Sequence, residues 1–327
     1  MGRTVQVRAR LRVSSLLLCL CAMSHAPWTS GQIHTTSLPE APRAINDDGV
    51  VIGDASVFYR SGPVGLVGPL GGGVNTLLVA VNGQGHVLLA QTFGGLRYFV
   101  CQPLLKKCTP IGLRGEVNEE GTVRRISLAY LTGLDDAGRV FGVYSGAHGP
   151  CAVMGIPALG TRGDPGPPPE TPASYSLLGC PVGRNLVIRA MNARGQITGS
   201  VNGEGFLWSS GTLSRFSFPT SPHTEGYAIN DAGVVAGVFQ VGNGISDDGT
   251  VSARRTPGLS LPQRGFVYDG SQFRIVMNPK DRAIYVTGIN NRGQVVGYYA
   301  SATDVSINHG FLIESGALPV AHLESIQ

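Results

Sequence analysis

The chain has 327 residues, of which 42% are apolar and 14% charged, so it is long and apolar enough to fold and intrinsic disorder is excluded as its default state. Its 25 Lys and Arg against 21 Asp and Glu give a formal charge of +4, and no basic stripe is visible, which argues against a nucleic-acid partner. Glycine is abundant, at 47 residues, and scattered without the triplet period of collagen, as expected for many tight turns between short strands.

The first element is a leader. Arg3, Arg8, Arg10 and Arg12 precede the apolar run "SSLLLCLCAM", and the small residues of "SHAPWTSG" follow. This order is that of a signal peptide, and the run is too short to span a bilayer, which takes about 20 residues. The small residues offer cleavage after Ala26 or after Gly31; the second, which makes Gln32 the mature start, is favoured, and either places the protein in the periplasm or outside the cell. The leader carries four of the basic residues and none of the acidic ones, so the remaining chain is formally neutral.

From residue 43 onward one small hairpin recurs six times. The copies read "RAINDDGVVIG" from Arg43, "VAVNGQGHVLLA" from Val79, "TGLDDAGRVFG" from Thr132, "RAMNARGQITG" from Arg189, "YAINDAGVVAG" from Tyr227 and "TGINNRGQVVG" from Thr287. Asn46, Asn82, Asp135, Asn192, Asn230 and Asn290 each precede a glycine by three positions, the spacing of a type I turn with Asx at its first corner. Gly49, Gly85, Gly138, Gly195, Gly233 and Gly293 then supply the left-handed residue that closes the hairpin with a bulge. A second glycine, at Gly53, Gly142, Gly199, Gly237 and Gly297, falls inside the next strand, where only a close backbone approach justifies it; Leu89 takes that place in the second copy.

A second strand pair follows each hairpin, clearest in "GFLWSSGTLSRFSFP" from Gly205, "GFVYDGSQFRIVMNP" from Gly265 and "GFLIESGALPVAHLE" from Gly310. Four short strands per unit of about 40 residues predict an all-β chain folded as a β-propeller of six four-stranded blades, because one small sheet cannot bury both of its faces alone. Seven blades, a β-sandwich and a β-solenoid are the structural alternatives. The segment "IHTTSLPE", before the first hairpin, resembles the last strand of a unit, so the ring is expected to close by pairing the two ends of the chain.

Cys19 and Cys21 leave with the leader, and Cys101, Cys108, Cys151 and Cys180 remain. Of three possible pairings the local one, Cys101 with Cys108 and Cys151 with Cys180, is the most economical, and the spacing lacks the CxxC of a zinc site. Two insertions, over 160–178 and 241–262, are candidates for a binding face.

The repeat resembles that of the extracellular HAF-repeat proteins of bacteria, whose units read approximately A-x-N-x-x-G-x-V-x-G followed by A-F-x-W-x-x-G. The likeness covers nearly all of the mature chain, though "EGF" at 204, "RGF" at 264 and "HGF" at 309 replace the His-Ala-Phe tripeptide. It implies export and repeated β-structure and transfers no catalytic residue.

Chemistry-bearing motifs are few. The pairs Asp47 with Asp48, Asp135 with Asp136, and Asp247 with Asp248 lack the alternating ligands of a calcium loop and read as solvated turn tips. His34, His86, His148, His223, His309 and His322 are dispersed singly, and no HExxH, G-x-S-x-G or Walker loop occurs. Tyr59, Phe99, Trp208, Tyr268 and Tyr298 are candidate platforms for sugars or packing groups between blades. Equivalent propeller turns emerge on one face, so the six Asx turns are expected to ring one mouth of the axis. The expectation is therefore a monomeric, exported binding or scaffolding module for a protein or glycan ligand, with no catalytic residue, metal or cofactor assigned. A polysaccharide hydrolase or lyase on the same scaffold is the functional alternative.

Overall fold

The computed structural model describes residues 35–38, 41–53, 56–59, 62–65, 76–92, 96–102, 107–119, 122–157, 173–183, 185–219, 221–241, 263–276, 281–301 and 308–314. The chain divides into Met1–Gln32 and Ile33–Gln327, and the leader lies outside the described residues, as do Asp247, Asp248, His34, His322 and most of the two insertions. All regular structure described is β, and no helix among the described residues is long and apolar enough to cross a membrane.

Strand β1 (Thr35–Leu38) precedes the first sheet, β2 (Pro42–Ile45), β3 (Val51–Gly53), β4 (Ser56–Tyr59) and β5 (Gly62–Gly65). The second sheet is β6 (Thr76–Val81), β7 (Val87–Gln91), β8 (Arg97–Gln102) and β9 (Lys107–Ile111). The third holds β10 (Arg114–Glu119), β11 (Thr122–Leu134), β12 (Val140–Gly146), β13 (Gly149–Ile156) and β14 (Ala173–Gly179). The fourth is β15 (Val187–Met191), β16 (Ile197–Val201), β17 (Glu204–Ser209) and β18 (Thr212–Phe216). The fifth is β19 (Thr224–Ile229), β20 (Val235–Gln240), β21 (Gln263–Tyr268) and β22 (Phe273–Val276). The last comprises β23 (Asp281–Ile289), β24 (Val295–Ser301) and β25 (Asn308–Ile313).

The axial strand of each sheet, its first except in the third sheet, where it is β11, packs against that of the next, from β2 through β6, β11, β15, β19 and β23 and back to β2, so six sheets surround one axis. This is a β-propeller. The sixth sheet is completed by β1, which runs antiparallel to β25 with Thr35 opposite Ile313 and Leu38 opposite Gly310. The ring is thus closed by the two ends of the chain, as the sequence predicts.

Five of the sheets are four-stranded blades, one fewer than the six expected from the sequence, and the third departs from the blade pattern. There β10, unforeseen in the sequence, pairs antiparallel with β11 and parallel with β14, closing five strands into a barrel. Beside the bulge that every sheet shares, β11 carries a second register shift, between Leu128 and Tyr130, and such a shift bends a long strand in the way closure needs. Val117, Leu128, Tyr144, Val153 and Tyr175 from five different strands belong to the core that results. Of the strand pair expected from Gly310, β25 is the first strand and the second falls on residues outside the described chain; β1 takes the fourth place in the sheet.

Every axial strand carries a bulge at the same repeat position, three residues before the Asx. The bulged residues are Arg43, Val79, Thr132, Arg189, Tyr227 and Thr287. The in-strand glycine accommodates this bulge: a Cβ at Gly199 would fall on the carbonyl oxygen of Val187, and one at Gly237 on that of Glu225. The close backbone approach inferred from the sequence is therefore present.

Candidate functional site

The six turns fold as their residues require. In each, the Asx N–H donates to the carbonyl four residues on and the glycine N–H donates back to the Asx carbonyl, as in Asn46 to Val50 at 3.0 Å and Gly49 to Asn46 at 3.1 Å. Gly49, Gly85, Gly138, Gly195, Gly233 and Gly293 adopt φ between 75° and 82°, a region that strains any residue with a Cβ. The Asx Oδ1 accepts the N–H four residues on, at 2.8 Å from Val50, His86 and Arg139, 2.9 Å from Gln196 and Gln294, and 3.0 Å from Val234.

The other half of each asparagine does something the turn does not need. Asn46 Nδ2 donates to the carbonyl of Asn82 (2.7 Å), and Asn82 to that of Asp135 (3.0 Å). Asn192 donates to Asn230 (2.8 Å), Asn230 to Asn290 (3.1 Å), and Asn290 to Asn46 (2.8 Å). All five asparagines are buried. The amides therefore form a collar of hydrogen bonds around the axis that links five of the six joints. At the third-to-fourth joint Asp135 has a carboxylate in place of the amide and no N–H to donate; it pairs with Arg139 Nε at 2.6 Å instead.

A second tier lies one residue further along. Gly83 N–H donates to Asp136, Ala193 to Asp231 (3.0 Å), Asp231 to Asn291 (2.7 Å) and Asn291 to Asp47 (2.7 Å), each from one sheet to the next. Asp47 and Asp136 are therefore not merely solvated turn tips: each receives a backbone N–H from the preceding turn. Asn291 Nδ2 also bridges Asp47 and Asp231, at 2.9 Å from each.

Both disulfides have the local pairing, Cys101 with Cys108 across β8 and β9 and Cys151 with Cys180 across the third sheet. Two closed disulfides fit an oxidising compartment. Among the candidate platforms, Phe99 is buried, Trp208 packs in the core of the fourth sheet, and Tyr268 stacks on Phe216 with centroids 4.7 Å apart. Tyr298 stacks on Tyr285 at 4.8 Å, and the side chain of Tyr59 lies outside the described residues. Among the described residues no group of three His, Cys, Asp or Glu side chains is placed to hold a metal ion.

A polar cluster that the sequence does not announce lies at the joint between the fourth and fifth sheets. Glu225, buried on β19, accepts from Arg189 Nε at 2.7 Å and from Ser200 Oγ at 3.4 Å, and His223 Nε2 lies 3.5 Å from its other oxygen. The Arg189 guanidinium lies over the Tyr227 ring, 5.0 Å from its centroid. Burial opposes the Arg189 charge, but the hydrogen bond and negative charge of Glu225 outweigh it and hold the group above its ordinary value. Tyr130 and Tyr227 are raised first by burial; the Arg189 charge offsets part of this in both, and Glu225 adds to it in Tyr227. The signal for this cluster is the bulge position itself, since Arg189 and Tyr227 are equivalent residues of successive repeats and Glu225 stands two before the second bulge.

No protein-family model matches this chain, and no curated protein matches it. Among solved structures, a match is the PQQ-bound form of aldose sugar dehydrogenase (Adh) from Streptomyces coelicolor, with 11% identity and a TM-score of 0.34, covering 74% of this chain and 95% of that one. The assignment of the fold rests on the sheet order described above, and no activity is carried over.

Proposed function

We propose that the protein is an exported binding or scaffolding module of the HAF-repeat type. The observation that supports this most is the collar: the asparagine amides at the axial turns are committed to inter-sheet hydrogen bonds, so these polar groups brace the ring. A ring braced at its axis, with disulfides tying strands within its second and third sheets, is suited to holding loops and axial side chains in fixed positions, the requirement of a preorganised binder. The apolar leader and the disulfides support export.

The test is to screen oxidised protein beginning at Gln32 against a panel of envelope polysaccharides and extracellular protein extracts, following both retention and product release. Retention without release supports the module. Release of fragments from any glycan would overturn it in favour of a hydrolase or lyase.

A further inference from the structure

We propose that the joint between the fourth and fifth sheets is a carboxylate-binding subsite, in which Arg189 receives the uronic acid group of an acidic glycan. The proposal rests on the binding-module reading and names its ligand class.

The geometry of Arg189 is that of a prepared fork. Its Nε is fixed by the buried Glu225 carboxylate at 2.7 Å and its guanidinium plane lies on the Tyr227 ring, while 42% of the side chain stays exposed. Holding a guanidinium through Nε leaves its two terminal NH2 groups on the opposite side, the pair that binds a carboxylate by parallel hydrogen bonds. Glu225 is held in turn by Ser200 and His223, so the fork rests on a buried base rather than on a mobile side chain.

The tyrosines beside the fork choose an acidic sugar from among carboxylates. Two tyrosines flank the fork: Tyr227 on β19, on whose ring the guanidinium lies, and Tyr130 on β11, whose hydroxyl donates to the carbonyl of Ile188, the residue before Arg189, at 3.1 Å. Tyrosine offers an apolar face with a polar tip, which suits the alternating C–H and O–H surface of a pyranose.

The experiment titrates an oligogalacturonate and its methyl ester into oxidised protein, reading affinity by calorimetry and the Arg189 Nε–H resonance by NMR. The free acid is expected to bind, the ester at least about tenfold more weakly, and the Arg189 resonance to shift with the acid. Arg189→Gln should weaken the acid by about tenfold or more and so remove its advantage over the ester. Arg189→Lys keeps a charge beside Glu225 and should still lose most of the preference, which separates lost recognition from lost folding. Equal binding of acid and ester, or full acid binding by Arg189→Gln, would overturn the subsite while leaving the binding module standing. Failure of the acid to bind at all would also overturn the subsite, and the binding-module reading would then stand or fall on the wider panel.

Discussion

Replacing Asn290 tests the collar where it is most completely bonded. The side chain donates to Asn46 O at 2.8 Å and to Gln294 Oε1 at 2.7 Å, and accepts from the N–H groups of Arg292 at 3.1 Å and Gln294 at 2.9 Å, with the residue 3% exposed. At about 1 kcal/mol net for each bond, Asn290→Ala should cost about 4 kcal/mol, with buried partners left unpaired keeping the figure from falling lower. Asn290→Asp keeps both accepting contacts and removes the donors, so it should cost about 2 kcal/mol for the bonds and more for a buried carboxylate facing a carbonyl. That carboxylate would titrate above its unfolded value, so the stability it allows is full below the unfolded carboxylate range and is lost as pH rises through the folded one. The Asp variant should therefore approach the parent in acid, where a protonated carboxyl again donates. Urea unfolding followed by Trp208 fluorescence, with an unchanged m-value, measures both. A cost below about 1 kcal/mol for the Ala variant would refute the reasoning.

The collar should also be repairable: the double change Asp135→Asn with Arg139→Gln copies the Asn192 and Gln196 pair, whose amides meet at 2.7 Å, into the unlinked joint and should stabilise by about 1 kcal/mol in the same assay. Gly237→Ala should cost about 3 kcal/mol, because its Cβ would meet the Glu225 carbonyl and lie 2.9 Å from Phe266 Cζ, and an unfolding midpoint equal to that of the parent would contradict this. Tyr175, whose hydroxyl finds no partner among the described residues, is pushed up by burial to about 12. Its neutral form is thus favoured by folding, so its contribution is full below the ordinary value of 10.0 and declines towards 12, by at most about 1.4 kcal/mol per pH unit. Tyr175→Phe should flatten the alkaline fall in stability, and an unaltered profile would argue against that burial.

The hairpins were legible because their requirements are local. An Asx three residues before a glycine closes one kind of turn, and the same spacing repeated from Asn46 to Asn290 marked all six axial strands and both ends of the ring. The in-strand glycines announced a close approach, and the partner proved to be the bulged strand beside them. What escaped the sequence depends on neighbours. The choice of Asn over Asp at five of the six turns looks neutral within one hairpin, since both accept the same N–H, and acquires meaning only when the next sheet presents its carbonyl. Strand β10 was hidden because "RGEVNE" carries charges on both sides of its alternation, and its partners, the early part of β11 and the distant β14, are not adjacent in any single repeat. The Arg189 cluster was hidden for the same reason: Arg189, Glu225 and Tyr130 come from three repeats, and none stands at an invariant position of the motif.

The most direct test of the account is hydrogen exchange of the asparagine side-chain amides in protein labelled with nitrogen-15 at asparagine. If the turns close the ring, the amides of Asn46, Asn82, Asn192, Asn230 and Asn290 should exchange as slowly as backbone amides of the core and remain unmoved when a ligand binds. Fast exchange of these amides in the folded protein, or displacement of their resonances by a bound glycan, would contradict the claim that the collar holds the propeller together rather than serving as its binding mouth.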